Sequence, residues 1–556
     1  MFFRRKTVKG HTYVQVVESF RDGGKCRQRV LLNVGALEEL RSSGRLDALL
    51  QSGSRLSESI VVLSEHDRGE LTSTPPVAIG PSLVFERLWS QAGCRDVLLH
   101  ASRERQFHFP VERAVFLTVL HRLLESGSDR SALRTWKEGY EIPETEDLRL
   151  QHLYRTMAFL GEELPLEEQE GATPFSPRCV KDEIEEALFK RNRDLFSQLE
   201  LVFFDTTSIY FEGEGGERLG QHGHSKDHRP DLKQMVVGMV LDGEGNPVCC
   251  EMWPGNTTDV STLLPIVKRL QRRFGVVRVC VVADRGMISK DTLAKLEGLH
   301  LEYILGARMR SQNEVSEEVL SRGGRYHEVT PERRRTKDPS PLKVKEVWVG
   351  THRYVVCRNE EEARKDAHDR EAILAALREA LQRGEKSLVG NKGFRRYLRT
   401  QGTGVFSIDE TRIEEEARYD GKWVLRTNTT LTPTEVALTY KRLWVVEEMF
   451  RSMKTLLETR PIWHKCDETI RGHVFCTFLS LVMRKALQDR LAAAGVDEEW
   501  ATVIADLKRF TYVDVERDGK RFRIRSRTAG CAGRVFQAVG VAVPRAVEAS
   551  NAAVAS

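Results

Sequence analysis

The chain has 556 residues, 40% of them hydrophobic and 30% charged, with a formal net charge of +5. That length exceeds one core, and that balance excludes a disordered or membrane-embedded chain. Positive charge gathers at the start: residues 1–30 hold eight Lys/Arg against Glu18 and Asp22, a patch that suits a polyanion as well as it suits a solvated hairpin.

In chain order, Tyr13 to Glu18, an Asp22-Gly23-Gly24 turn and Gln28 to Val34 predict a β-hairpin. Polar residues 51–80 read as a linker. Helical periodicity follows: Ala114, Val115, Val119, Leu120, Leu123 and Leu124 mark one amphipathic helix, Leu150 to Leu160 a second and Val180 to Phe196 a third. With Arg130, Arg134 and Lys137 between the first two, this stretch could contact DNA or simply pack.

The pattern changes at Leu199, where a short buried strand ends at Asp205. Met235 to Leu241 and Pro247 to Trp253 predict two more strands, Asp259 to Phe274 a helix, and Val276 to Ala283 a β-branched strand ending at Asp284. A helix at Ser289 to Gly298 and a strand at Tyr303 to Gly306 complete a mixed α/β sheet. Residues 310–415 break the rhythm with a basic, proline-bearing segment, a strand at Val347 to Arg358 and a charged helix from Glu360 to Gly384. Trp423 to Thr427 resumes the sheet, and Tyr440 to Lys454 predicts one continuous helix capped by Thr434. Leu443, Val446, Met449 and Phe450 form its buried stripe, with Tyr440, Glu447, Arg451 and Lys454 on the neighbouring strip. Arg471 to Ala493 is helical, Val513 to Arg525 is a hairpin exposing Arg521, Arg523 and Arg525, and the tail from Val543 frays.

Ten cysteines lie scattered without a C-x-x-C pair, and no secretory signal is read at the start. Reduced thiols in a cytoplasm follow, with Cys249 and Cys250 in the core. The longest apolar run, Val474 to Met483, is too short to span a membrane.

Two strand-terminal acids and Glu447 on a late helix are the constellation that carries chemistry. Carboxylates are hard ligands suited to Mg²⁺ or Mn²⁺, and clustered carboxylates repel unless cations neutralise them. Two such ions about 4 Å apart can activate a water or a 3′-hydroxyl and stabilise the leaving oxygen of a phosphodiester.

The blocks Asp205-Thr206-Thr207-Ser208, Asp284-Arg285-Gly286 and Tyr440…Glu447…Lys454 resemble those of the DDE transposases of bacterial insertion sequences. More narrowly, they resemble the cut-and-paste group whose last block spells Tyr-Arg-Glu-Lys. Gly223 to Leu232 and Gly255 to Asp259 are similar to that group too, and the likeness covers about 199 to 480. It implies a ribonuclease H-like α/β core, interrupted by an insertion, with Asp205, Asp284 and Glu447 as ligands of two Mg²⁺ or Mn²⁺ ions. It implies DNA as partner, both terminal inverted repeats and target, with Tyr440 and Lys454 on phosphates and a homodimer in the synaptic complex. One position departs: Leu443 stands where the group has its Arg, and Arg442 comes one place early. A helix turns about 100° per residue, so Arg442 need not reach the same phosphate, and Arg451 is the substitute to consider. Lys226 and Arg229 are further candidate phosphate contacts.

The organisation expected is a basic hairpin and linker over 1–75, a helical DNA-binding domain over 76–197, core segments over 198–309 and 416–495 around an insertion at 310–415, and a C-terminal region over 496–556. A nucleoid-associated cytoplasmic protein is expected. His222, His224 and His228 fall in a Gly-rich loop that suits solvent near DNA better than a metal cluster. The rivals are a silent DNA-binding descendant of such a core and a ribonuclease H-like nuclease that does not join ends.

Overall fold

The computed structural model describes the whole chain except residues 23–24, 55–70, 171, 173–175, 193–200, 276–279, 285–288, 331–340, 384–391, 402–404, 518–519 and 551–556. It divides into two compact units, one formed by residues 1–77, 510–528 and 543–556, the other by residues 78–509 and 529–542.

In the first unit the basic start is a three-stranded meander, not a two-stranded hairpin. Phe2–Val8 pairs with His11–Asp22, which pairs with Lys25–Ala36. The short strand at the very start was missed because Arg4, Arg5 and Lys6 interrupt its apolar alternation. A second sheet runs Val547–Ser550, Lys520–Arg525, Thr511–Arg517, Leu71–Ser73. The tail is therefore paired through Ser550, not frayed: backbone bonds to an edge strand order it despite its small side chains. The arginines on Lys520–Arg525 face acids across the ladder, Arg521 on Glu516 at 3.3 Å and Arg523 on Asp514 at 3.0 Å.

The second unit is a nine-stranded sheet flanked by helices. Its strands are β1 (Leu201–Tyr210), β2 (Gln234–Leu241), β3 (Pro247–Pro254), β4 (Cys280–Ala283), β5 (Glu302–Gly306), β6 (His327–Val329), β7 (Leu342–Val349), β8 (His352–Arg358) and β9 (Lys422–Thr427). Their order is β6-β7-β8-β9-β5-β4-β1-β2-β3. β1, β4 and β5 are parallel; β2 and β3 add antiparallel on one side, and β9, β8, β7 and β6 antiparallel on the other. Residues 310–415 thus supply three strands to this same sheet. β8 lies between β7 and β9, its Val356 level with Val424.

The helices that bear on the site and its frame are α1 (Gly80–Gln91), α2 (Val111–Leu124), α3 (Leu150–Leu160), α4 (Val180–Asn192), α5 (Asp259–Phe274), α6 (Lys290–Gly298), α7 (Glu360–Arg383), α8 (Pro433–Lys441), α9 (Trp444–Arg451) and α10 (Asp467–Ala493). Leu263, Ile266 and Val267 of α5 and Leu293 and Leu296 of α6 cover one sheet face, meeting Val202 and Phe204 of β1. The predicted helix Val180 to Phe196 is described only to Asn192.

α2 differs from its sequence pattern: every residue from Val111 to Leu124 is buried, so it is not amphipathic in place. Its polar positions are satisfied internally, as burial demands. Trp89 Nε1 donates to Glu112 at 2.6 Å, Arg113 pairs with Glu112 and Glu86, and Arg122 donates to the His473 carbonyl at 2.6 Å. α2 and α3 both pack on α10. There a Cβ on Gly472 would lie 1.9 Å from the Met157 carbonyl oxygen, so only glycine allows the α3–α10 approach.

A buried ionic network ties α4 to β3 and α5. Arg273 meets Glu185 at 2.6 Å and Glu251 at 2.9 Å, Arg269 meets Glu251 at 3.0 Å, and Lys181 meets Asp182 at 2.6 Å and the Cys250 carbonyl at 2.7 Å. Three cations answer three anions, Asp182, Glu185 and Glu251, and none of these six side chains is more than 4% exposed. Burial alone would raise the Asp182 carboxyl, but Arg273, Lys181 and Arg269 hold it well below the usual carboxylate range. Removing one partner strands a buried charge. Arg273→Met should therefore lower stability by about 3–5 kcal/mol, read from the urea midpoint. Lys295→Met, which breaks the exposed pair with Asp291, should change it by less than about 0.5 kcal/mol.

Candidate active site

The site begins with strand register. β1 and β4 run parallel with Val202 level with Val281 and Phe203 level with Val282. Two residues further on, Asp205 stands level with Asp284. In parallel neighbours, level residues share a face, so both carboxylates leave the sheet on the same side. Asp205 does not end its strand: β1 continues to Tyr210, paired on its other edge with β2. What ends near Asp205 is the pairing with β4, because β4 stops at Ala283. The aspartates therefore mark the carboxyl ends of a parallel pair, where the sheet order turns from β4 and β5 to β2 and β3. Arg285 and Gly286 of the second block lie outside the described residues.

Asp205 is partly buried, and burial raises its carboxyl to about 6; Lys226 opposes the rise, while Asp284 and Asp259 add to it. Asp205 Oδ1 accepts from its own neighbour Thr206 N at 2.7 Å. Tyr440 donates its hydroxyl to Asp284 Oδ1 at 3.1 Å, fixing the second carboxylate from above.

The covering helix is broken, not continuous. Thr432, not Thr434, caps α8, in a reciprocal capping box with Glu435. The chain then tightens: Leu443 N bonds Tyr440 O at 2.9 Å and Val445 N bonds Arg442 O at 3.0 Å, three-residue steps that separate α8 from α9. After α9 it widens into a π turn at Ser452–Leu456. Tyr440, Glu447 and Lys454 thus sit on three differently wound pieces, not on one uniform helix of 3.6-residue period. Apolar contacts decide this: Leu443, Val446, Met449, Phe450 and Met453 are all buried, and α9 packs on β1 and β2.

Glu447 is exposed on α9, and its carboxylate makes no ion pair among the described residues. Glu448 is committed to Arg451 at 2.7 Å. The ligand atoms of Asp205, Asp284 and Glu447 do not all lie within 4.8 Å of one another. Two partly buried aspartates brought side by side, with an uncommitted glutamate on α9, nevertheless fit a hard divalent cation in donor type.

The candidate DNA contacts meet varied surroundings. Lys226 binds Asp259 at 3.1 Å and the Thr206 carbonyl at 2.8 Å. Arg229 pairs with Asp231 at 3.0 Å and lies over the Tyr210 ring. Lys454 pairs with Asp227 at 2.7 Å, Arg451 with Glu448, and Arg442 is exposed with its guanidinium 5.8 Å from the Phe203 ring centre. Three groups went unnoticed in the sequence. Thr206 Oγ1 donates to Asp259 at 2.6 Å, Ser208 Oγ accepts from Lys226 N at 2.8 Å, and Arg460 reaches Asp227 at 2.6 Å. Only the first block's alternation of Asp with hydroxyl residues hinted at the two hydroxyls. A Cβ on Gly223 would lie 1.9 Å from Gly255 O, so the loops before Lys226 and before Asp259 touch backbone to backbone.

Asp129, His464 and His473 do bring ligand atoms within 4.8 Å, but far along the chain from these blocks. Arg122 donates to His473 Nδ1 at 2.9 Å, and Nε2 faces the Thr459 carbonyl at 3.2 Å, so neither nitrogen is open. Burial and Arg122 push His473 well down and His464 to about 4. This is a neutral packing cluster around a cation. The loop histidines 222, 224 and 228 are exposed and form no such group.

Residues 197–483, more than half the chain, match the family model of the transposase DDE domain. The chain belongs to the DDE transposases. Residues 3–65 match the N-terminal domain of IS1634 family transposases, which makes this an insertion-sequence transposase. No curated protein matches it. Among solved structures it is similar to a piggyBac transposase synaptic complex with hairpin DNA, at 10% identity over 77% of this chain and 79% of that one, with a TM-score of 0.38. It is also similar to the Mos1 transposase paired-end complex with left transposon end, at 18% identity over 36% and 61%, with a TM-score of 0.14. Overlaps this slight add nothing to the family assignment. Among the described residues no helix of the transposase is long and apolar enough to cross a membrane, and its ten cysteines are unpaired, with Cys249 and Cys250 buried.

Asp205 and Asp284 crowd like charge into a partly buried site. In metal-free transposase at pH 8, Asp205→Asn should raise the thermal midpoint, and added Mg²⁺ should stabilise wild type but not the variant. Equal Mg²⁺ responses in both would remove Asp205 from the cation site.

Proposed function

We propose that this transposase cuts the DNA ends of its own element and joins them to target DNA, using Asp205, Asp284 and Glu447 to hold divalent cations on a ribonuclease H-like core. The observation that carries the reading is the parallel register of β1 and β4, which brings Asp205 beside Asp284 where the pairing of the two strands stops. The strand order β3-β2-β1-β4-β5, with β1, β4 and β5 parallel, supports that core.

Bound Mg²⁺ or Mn²⁺, in two sites, would supply an acidified water or 3′-hydroxyl and charge stabilisation at the phosphodiester. The chain's own part is orientation. Tyr440 holds Asp284 through its hydroxyl, Thr206 N holds Asp205, and Lys226 ties the strand carrying Asp205 to Asp259. Glu447 is uncommitted on the exposed face of α9, and in this reading its carboxylate completes the cation site with the aspartates. The basic side chains around them bind phosphates and carry no sequence information themselves. Terminal inverted repeats and target DNA are the substrates in this reading, and two copies of the chain hold two ends together.

The test is divalent-metal-dependent nicking and strand transfer on a duplex carrying the terminal repeat that flanks the gene. Asp205→Ala, Asp284→Ala and Glu447→Ala should each reduce cleavage by about 10³-fold or more while leaving end binding within about threefold. Glu448→Ala, which loses only its pair with Arg451, should cut normally. A dead Glu448→Ala alongside an active Glu447→Ala would reassign the third ligand; cleavage by Asp284→Ala at the wild-type rate would refute catalysis here. Cleavage without joining would leave a nuclease.

A further inference from the structure

Lys454, an expected phosphate contact, is paired with an acid of a distant loop, and that partner is informative. Asp227 Oδ1 lies 2.7 Å from Lys454 Nζ and 2.6 Å from Arg460 Nη1. An ammonium from the π turn and a guanidinium from the following loop therefore converge on a single anionic oxygen. The side chains of Asp227, Lys454 and Arg460 are 5%, 12% and 25% exposed. Asp227 Oδ2 is buried with no hydrogen-bond partner among the described residues. Half of this carboxylate is thus doubly bound and half is unmet, a poor match for an anion chosen only to neutralise two cations.

Arg460 is itself well placed. Its guanidinium lies 5.6 Å from the centre of the Tyr210 ring, at the end of the strand that carries Asp205. The other arginines near Glu447 are committed or turned away: Arg451 holds Glu448 and is 67% exposed, and Arg442 lies against Phe203. Leu443 is buried and apolar. The guanidinium that meets Lys454 comes from Arg460.

We propose that Lys454 and Arg460 form a phosphodiester subsite, and that Asp227 of the protein's own loop fills it until DNA takes its place. This rests on the DNA-cutting reading above. Ammonium and guanidinium are donors only, so their shared point must hold an acceptor. A phosphodiester carries the same single negative charge as the carboxylate, spread over two non-bridging oxygens, so the exchange leaves the site's charge balanced. The loop is built to release one residue. Lys226 stays anchored to Thr206 and Asp259, Asp227 N and Arg229 N share Ser225 Oγ, and His228 adopts a left-handed φ of 57°.

The experiment is a salt titration of binding by the full-length protein to a labelled duplex carrying the flanking terminal repeat. Arg460→Gln should weaken binding about tenfold and flatten the log–log salt slope by about one, and Arg460→Lys should restore the slope. Asp227→Asn should bind at least about threefold tighter than wild type, because the competing anion is gone. An Asp227→Asn protein that binds no tighter, or an Arg460→Gln protein with the wild-type slope, overturns the subsite and leaves a structural ion pair. Wild type that binds no duplex refutes the functional reading and this inference together. Wild type that binds while both variants match it overturns the subsite alone.

Discussion

The six buried charges around Arg273 are the constraint on which the second unit depends. Charges taken out of water destabilise a fold unless each meets a partner in good geometry, and here Lys181, Arg269 and Arg273 are matched by Asp182, Glu185 and Glu251 across α4, α5 and β3. Apart from Lys181 with Asp182 and Glu185, each of these pairs joins two different elements. The network therefore specifies relative position as much as it stabilises, and it makes α4 part of the body that holds the sheet. Its neighbours α2 and α3 are bound to the same body through α10, with Gly472 allowing the close crossing. That packing is the role which the sequence pattern of this stretch left open beside contact with DNA.

Upon this frame the candidate site needs little further construction. The parallel register of β1 and β4 places two aspartates side by side, and burial ensures that their charge is unfavourable without a cation. The covering segment is wound in three ways within about fifteen residues: α8, a tightened step, α9 and a π turn. Irregular winding of this kind lets one segment aim Tyr440 at Asp284 and Lys454 at Asp227 while its apolar residues stay buried. A uniform helix would have fixed those directions 100° per residue apart.

The segment from Ser225 to Arg229 joins the two halves of the site. Lys226 grips the strand of Asp205 on one side, and Asp227 grips the π turn that follows Glu447 on the other. Lys226 and Asp227 stand side by side in a turn held by Ser225, whose Oγ accepts from Asp227 N and Arg229 N, so a dipeptide of opposite charges bridges the two sides. Gly223 and Gly255 make this possible by letting the two loops meet backbone to backbone. Position, not composition, gives these five residues their role.

By itself the sequence determined the strands and helices whose periodicity is strong, including the helix Asp259–Phe274 to the residue, and the three acids together with the blocks that resemble a transposase. Local chemistry suffices there, because period-2 and period-3.6 patterns and short motif blocks are written in adjacent residues. Tertiary structure alone decided what depends on distant partners. It carried β1 past Asp205 because β2 pairs with it, let α2 be buried on every side because polar partners from α1 and α10 reach it, and drew residues 310–415 into the sheet through β8 and β9. It broke the helix at Leu443 because apolar contacts outweighed the regular period, and it gave Lys454 two companions, Asp227 and Arg460, that no spacing in the chain announces. Pairing across a sheet and charge matching in a low-dielectric interior act between residues far apart in sequence, and only the folded chain brings them within reach.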